Sequence, residues 1–132
     1  MPDSAPAEAL RPLILIAEDD PNIREALAFV LRRERFPFLE TDDGLEALRL
    51  LREKRPALAF LDVMLPGMDG ITVCETVKKD PALQGIRIVF LTAMGQTIDF
   101  QRGYRAGADA YFSKPFSPGG LIQKVKNMLG IS

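Results

Sequence analysis

The sequence predicts an α/β domain, a doubly wound parallel sheet of five strands with helices on both faces. Short apolar runs of strand length alternate along the chain with longer amphipathic stretches of helical period. Two of the runs, Leu13–Ala17 and Ala57–Leu61, are apolar throughout, as strands buried on both faces must be. Turn residues close them: Asp20-Pro21 soon after the first, and Pro66-Gly67 soon after the second.

Each element follows in order. Leu13–Ala17 is the first strand; Asp20 as N-cap and Pro21 at the first helical position then open a helix of about 14 residues with Ile23, Leu27 and Val30 at helical spacing. Phe36–Thr41 is a short strand, placed at a sheet edge because Pro37 lacks an N–H for a ladder. Asp42-Asp43-Gly44 turns into a helix whose Leu45, Leu48 and Leu51 share a face and which ends before Pro56. Ala57–Leu61 is the third strand. Ile71–Lys79 is a helix with Ile71, Cys74 and either Val73 or Val77 inward, and Asp80-Pro81 stops it. Ile86–Leu91 is the fourth strand, Thr97–Ala106 a short polar helix broken at Gly107, and Ala108–Phe112 the fifth strand. Ser117-Pro118 opens a last helix with Leu121, Ile122, Val125, Met128 and Leu129 on one face. Five strands and five helices joined by right-handed crossovers give the flavodoxin-like (βα)5 order 2-1-3-4-5. Residues 1–11, with two prolines and no strand pattern, read as a flexible N-terminal tail, leaving 12–132 as one domain.

Composition narrows the chemistry. With 17 basic and 18 acidic side chains, a formal charge of −1 and no basic run, the chain carries no electrostatic footprint for direct nucleic-acid binding. No segment has the form of a signal peptide or the ~18 apolar residues of a membrane span, so a soluble cytoplasmic protein is expected. The absence of histidine and the presence of one cysteine exclude Ser-His-Asp and Cys-His catalysis and the usual zinc sites. Cys74 is read as a small buried hydrophobe. Carboxylates, lysine and hydroxyls are left to act.

In the 2-1-3-4-5 order the first and third strands are neighbours, and the crevice at their C-terminal ends is where such sheets bind ligands. Glu18 and Asp19 end the first run and Asp62 ends the third, so three carboxylates converge there. At an effective dielectric of ~20, each pair at ~5 Å costs on the order of 3 kcal/mol, which calls for protonation or a cation. Hard oxygen ligands at an open rim suit Mg2+ shared with a phosphate, and Asp62 can then attack a phosphoryl group to form an acyl phosphate. Thr92 closes the fourth strand and Lys114 follows the fifth; both face the same rim, the one as a movable donor, the other as a point charge for phosphoryl oxygens. A cis Lys114–Pro115 bond is one way to aim the lysine inward.

Four segments carry a resemblance: Ala17-Glu18-Asp19-Asp20-Pro21-Asn22-Ile23-Arg24, Leu61-Asp62-Val63-Met64-Leu65-Pro66-Gly67-Met68-Asp69-Gly70, Leu91-Thr92-Ala93 and the stretch from Gly107 to Phe116. In this order they resemble the receiver domain of bacterial two-component response regulators, over roughly residues 12 to 130. The resemblance implies that Asp62 takes phosphate from the phosphohistidine of a sensor histidine kinase or phosphotransfer protein. It also implies that Glu18, Asp19, Asp62 and the Met64 backbone carbonyl hold Mg2+, that Thr92 and Tyr111 are the switch residues, and that Lys114 pairs with the phosphate. The partner on the output side is a downstream effector or a fused output domain. The expected role is a phosphoacceptor rather than an enzyme, with at most slow autophosphatase activity because apolar Met64 and Met94 cannot orient water. Glu18 replaces the more usual aspartate, and Gly119-Gly120 stands where many relatives carry an acid. The Asp109-Ala110 pair lacks the second acid common in winged-helix transcription factors, so the resemblance does not by itself imply their salt-bridged dimer face here.

Blander readings compete residue by residue. A lone aspartate at a strand end is most often a turn or cap residue, and Asp20, Asp42, Asp69 and Asp80 are read so. Thr92 alone would be a β-branched strand residue, Tyr111 a core aromatic and Lys114 a solvated lysine. Phe100 and Tyr104 are either local packing or half of a partner surface. Three other functions remain in contention. A Mg2+-dependent phosphatase with an aspartate nucleophile would want a second aspartate where Met64 stands; a flavin or nucleotide module would want a Gly- or hydroxyl-rich loop where Glu18-Asp19-Asp20 stands. The third is a receiver-like interaction module that is not phosphorylated.

Overall fold

The computed structural model describes residues 11–93, 105–114 and 116–131. The Thr97–Ala106 helix, apart from helical Arg105 and Ala106, lies outside that range. So do Met94, Phe100, Tyr104, the Lys114–Pro115 bond and nearly all of the N-terminal tail. The described elements are β1 (Ile14–Ala17), α1 (Pro21–Arg33), β2 (Phe38–Thr41), α2 (Gly44–Lys54), β3 (Leu58–Asp62), α3 (Gly70–Lys79), β4 (Arg87–Ala93), β5 (Ala110–Lys114) and α4 (Pro118–Leu129). The strands pair in parallel in the order β2-β1-β3-β4-β5, with β2 at the edge where Pro37 put it.

Strand alternation builds two cores. Leu15, Ala17, Ala59, Leu61, Ile88 and Phe90 face one way and pack on α2 and α3, through Ala47, Leu48, Leu51, Ile71, Val73, Cys74 and Val77. Ile14, Ile16, Leu58, Phe60, Val89, Leu91 and Ala110 face the other way, onto Leu27, Ala28 and Leu31 of α1 and Leu121 and Val125 of α4. Period-2 geometry thus sends Glu18, Asp62 and Lys114, in step with Ile16, Phe60 and Phe112, toward the α1 and α4 side.

Caps define the helix starts. Asp20, Asp43, Asp69 and Ser117 accept from the backbone N–H of Asn22, Glu46, Thr72 and Gly120 respectively. Asp43 rather than Asp42 therefore caps α2. Asp80 is the C-cap of α3, and its carboxylate accepts from the Ala82 N–H.

Several expectations shift by a residue or a face. Leu45 is 55% exposed, whereas Gly44, Ala47, Leu48 and Leu51 are buried. At ~100° per residue those four form one stripe and Leu45 falls beside it. On α1 the buried stripe is Leu27, Ala28 and Leu31, and Val30 is only half-buried. Both Val73 and Val77 are inward on α3. Strand β4 continues past Leu91 to Ala93, so Thr92 lies within it. The fifth strand begins at Ala110 because Asp109 is occupied with β4: its N–H donates to Ile88 O and its carboxylate accepts from Ile88 N–H, both at 2.8 Å. Lys114 is consequently the last residue of β5.

Candidate functional site

Glu18, Asp19 and Asp62 meet at the C-terminal ends of β1 and β3, each offering a carboxylate oxygen within 4.8 Å of the others. Glu18 is fully buried and Asp62 nearly so, while Asp19 is exposed at the rim. Lys114 reaches the same point from β5, with Nζ 3.0 Å from Glu18 Oε1 and 3.3 Å from Asp62 Oδ2. Asp62 Oδ1 accepts the Met64 N–H at 3.0 Å, which curls the β3–α3 loop around the carboxylate.

Burial of this acid cluster has an electrostatic consequence. Desolvation pushes the Glu18 carboxyl up to about 7, and Asp62 adds to the rise against the opposing Asp20 N–H and Lys114 ammonium. Burial also works against the charge on Lys114, but Glu18 and Asp62 outweigh it and hold the lysine above its ordinary value. The cation that repulsion among the acids calls for is, in part, this lysine. Glu18 Oε1 nevertheless lies in an ion pair without hydrogen-bond geometry and, among the described residues, accepts no hydrogen bond, a buried oxygen with capacity to spare. A hard cation bound through carboxylate oxygens fits that donor set.

Glycines make the surrounding loops close. A Cβ on Gly70 would overlap the Asp62 carbonyl oxygen, and one on Gly44 would overlap the Met68 carbonyl oxygen. Gly67, at φ 81°, takes the left-handed turn between them, and Gly44 N–H donates to Pro66 O at 2.9 Å. The loop that follows Asp62 is thereby fixed to both α3 and α2.

Thr92 is buried on β4, one residue beyond Leu91, the register partner of Asp62. It stands opposite Ser113, next to Lys114 in sequence. Tyr111 is half-buried on β5, with its ring 5.5 Å from that of Phe90 and inclined at 44°. Met64 is 65% exposed beside Asp62. Cys74 is buried, its thiol pushed up to about 12 mainly by desolvation.

Residues 14–126 match the family described as response regulator receiver domain. The chain belongs to that family. Over 122 residues this receiver domain is 44% identical to the DNA-binding response regulator MtrA of Mycolicibacterium smegmatis, a match that takes in 92% of this chain and 52% of MtrA. The chain thus spans about half the length of the curated relatives it matches. A Chloroflexus aurantiacus chain solved as a response regulator is 37% identical, with a TM-score of 0.86 over 91% of this chain and 98% of that one. The receiver domain of a Syntrophus aciditrophicus signal-transduction histidine kinase is 34% identical, with a TM-score of 0.84 and 90% of each chain covered. Response regulators are signalling proteins of two-component systems, and among the described residues of this one no helix is long and apolar enough to cross a membrane.

Sequence reasoning missed two residues around the receiver's acids. Arg24, given no role of its own in the sequence reading, turns back so that Nη1 donates to Glu18 O at 2.7 Å. Its place four residues after the Asp20 cap, on the side of the acidic turn, was the available signal. Thr41, buried at the end of β2, accepts the Glu18 N–H on its carbonyl and donates its hydroxyl to Glu46 Oε1 at 2.8 Å. A hydroxyl at the end of the strand beside β1 was the only hint of it.

Proposed function

We propose that this receiver domain accepts a phosphoryl group on Asp62 from the phosphohistidine of a sensor histidine kinase or phosphotransfer protein. The observation that carries the reading is the buried Asp62 carboxylate at a strand end, grouped with Glu18 and Asp19 and 3.3 Å from Lys114. Glu18, Asp19, Asp62 and the Met64 carbonyl would hold Mg2+. When bound, the ion supplies the positive charge that screens the carboxylates and the phosphoryl oxygens.

An Asp62 oxygen attacks phosphorus; the new O–P bond forms as the donor's N–P bond breaks, and the electron pair leaves with the imidazole nitrogen. Lys114, already at the carboxylate, exchanges part of its contact with Glu18 and Asp62 for the phosphoryl oxygens. The Thr92 hydroxyl moves to donate to the same group, and Tyr111 turns inward on β5. The surface around Tyr111 is then read by a downstream effector, separate or fused. One phosphoryl group is taken per chain, with slow self-hydrolysis and no turnover of free phosphoesters; Met64 stands where a phosphatase would need its acid.

Intact-mass spectrometry after incubation with acetyl phosphate and Mg2+ tests the reading. Wild type gains one phosphoryl group, and gains none in EDTA or as Asp62→Asn. No gain in wild type, or an equal gain in Asp62→Asn, would overturn it.

A further inference from the structure

We propose that Arg24 is a positioning residue for the acidic turn, holding Glu18 in the backbone geometry from which it and Asp19 grip a divalent cation. The proposal rests on the reading of Glu18 and Asp19 as cation ligands. Arg24 belongs to the first turn of α1, its own N–H bonded to Asp20 O at 2.9 Å. Its side chain folds back over that turn, with Nη1 donating to Glu18 O at 2.7 Å and Nε 3.7 Å from Glu40 Oε1 on β2.

Two other polar groups of Glu18 are also engaged. Its N–H donates to Thr41 O at 3.0 Å, and its Oε2 accepts the Asp20 N–H at 3.0 Å. With the carbonyl taken by Arg24, Oε1 is the oxygen left to face Lys114 and a cation. Lys114 restrains the carboxylate, whereas the bond from Arg24 is the side-chain restraint on the backbone of the turn, and it is short, partly buried and charge-assisted. Arginine suits the task because its planar fork serves the carbonyl and the Glu40 carboxylate in two directions at once. A lysine ammonium at the end of a flexible stem fixes the turn less well. Removing the guanidinium frees the Glu18–Asp20 turn and so misaims the ligands without touching them.

The test titrates the full chain with Mn2+ alone by electron paramagnetic resonance, and measures the Mg2+ concentration for half-maximal acetyl phosphate labelling. Arg24→Ala should bind Mn2+ and use Mg2+ about tenfold less tightly. Its labelling rate at saturating Mg2+ should stay within about twofold of wild type, the split expected of lost ligand aim. Arg24→Lys should fall between the two. Arg87→Ala, which removes an equal charge at the start of β4, where it pairs with Asp109, should match wild type. A folded Arg24→Ala with wild-type affinity, or an equal loss in Arg87→Ala, would overturn the proposal. Should Arg24→Ala fail to fold, wild-type affinity in Arg24→Lys would overturn it. Wild type that binds neither metal would instead remove the reading of Glu18 and Asp19 as ligands.

Discussion

The Lys114 ammonium stands 3.0 Å from Glu18 Oε1, a buried oxygen that accepts no hydrogen bond among the described residues. A lysine so placed should offset the charge of the acids in the metal-free protein and, on the proposed reading, compete with an incoming cation for the same oxygen. Lys114→Ala should therefore lose about 1–3 kcal/mol of stability in EDTA, because two buried carboxylates lose their partner. It should also gain more from Mg2+ than wild type does. Urea titrations with and without Mg2+ check both; equal stabilisation of the two proteins by Mg2+ would show that the lysine and the cation do not compete.

Glu18 sets a pH dependence. Its folded value of about 7 lies above the ordinary 4.5, so the folded state holds a proton that the unfolded state gives up. Its contribution to stability is full below pH 4.5 and is lost as pH rises through about 7. In EDTA the melting temperature should fall between pH 5.5 and 8 by more in wild type than in Glu18→Gln. Melting curves across that range check it, and parallel slopes in the two proteins would count against a protonated Glu18.

Glycines in different surroundings should respond with opposite signs. Gly44→Ala forces a methyl group onto the Met68 carbonyl and should destabilise by about 1–3 kcal/mol while disturbing the loop after Asp62. Gly120→Ala, whose Cβ would meet only the Ser117 side chain among the described residues, at 3.8 Å, should stabilise α4 by about 0.5–1 kcal/mol. Paired urea denaturation separates them.

How much of this was legible in the sequence follows from what each signal depends on. The sheet order and the meeting of Glu18, Asp19 and Asp62 were legible because apolar runs and their terminal acids are local patterns, and the parallel order leaves little choice about where they converge. The Asp43 cap, the exposure of Leu45 and the late start of β5 were not. Each turns on a one-residue choice made by tertiary partners: Met68 against Gly44, and Ile88 against Asp109. Arg24 was only faintly legible, since an arginine on a first helical turn points to solvent in most settings and is drawn inward here by Glu18 O.

On the proposed reading, Met64 should govern how long the label lasts. Its side chain is exposed beside Asp62 and cannot orient an attacking water. Met64→Asn should lose the phosphoryl group faster than wild type, and Met64→Leu should not. Decay of the phosphorylated mass after removal of acetyl phosphate measures both; fast decay in wild type and in Met64→Leu alike would contradict the argument.

The most direct measurement is the position of the phosphoryl group. Labelling wild type with acetyl phosphate and Mg2+, reducing with borohydride and sequencing the peptides by mass spectrometry converts a phosphoaspartate to homoserine at its own place in the chain. Homoserine at position 62 and at no other aspartate is the expected result. Homoserine at Asp19 or Asp20 instead, or at none, would contradict the account.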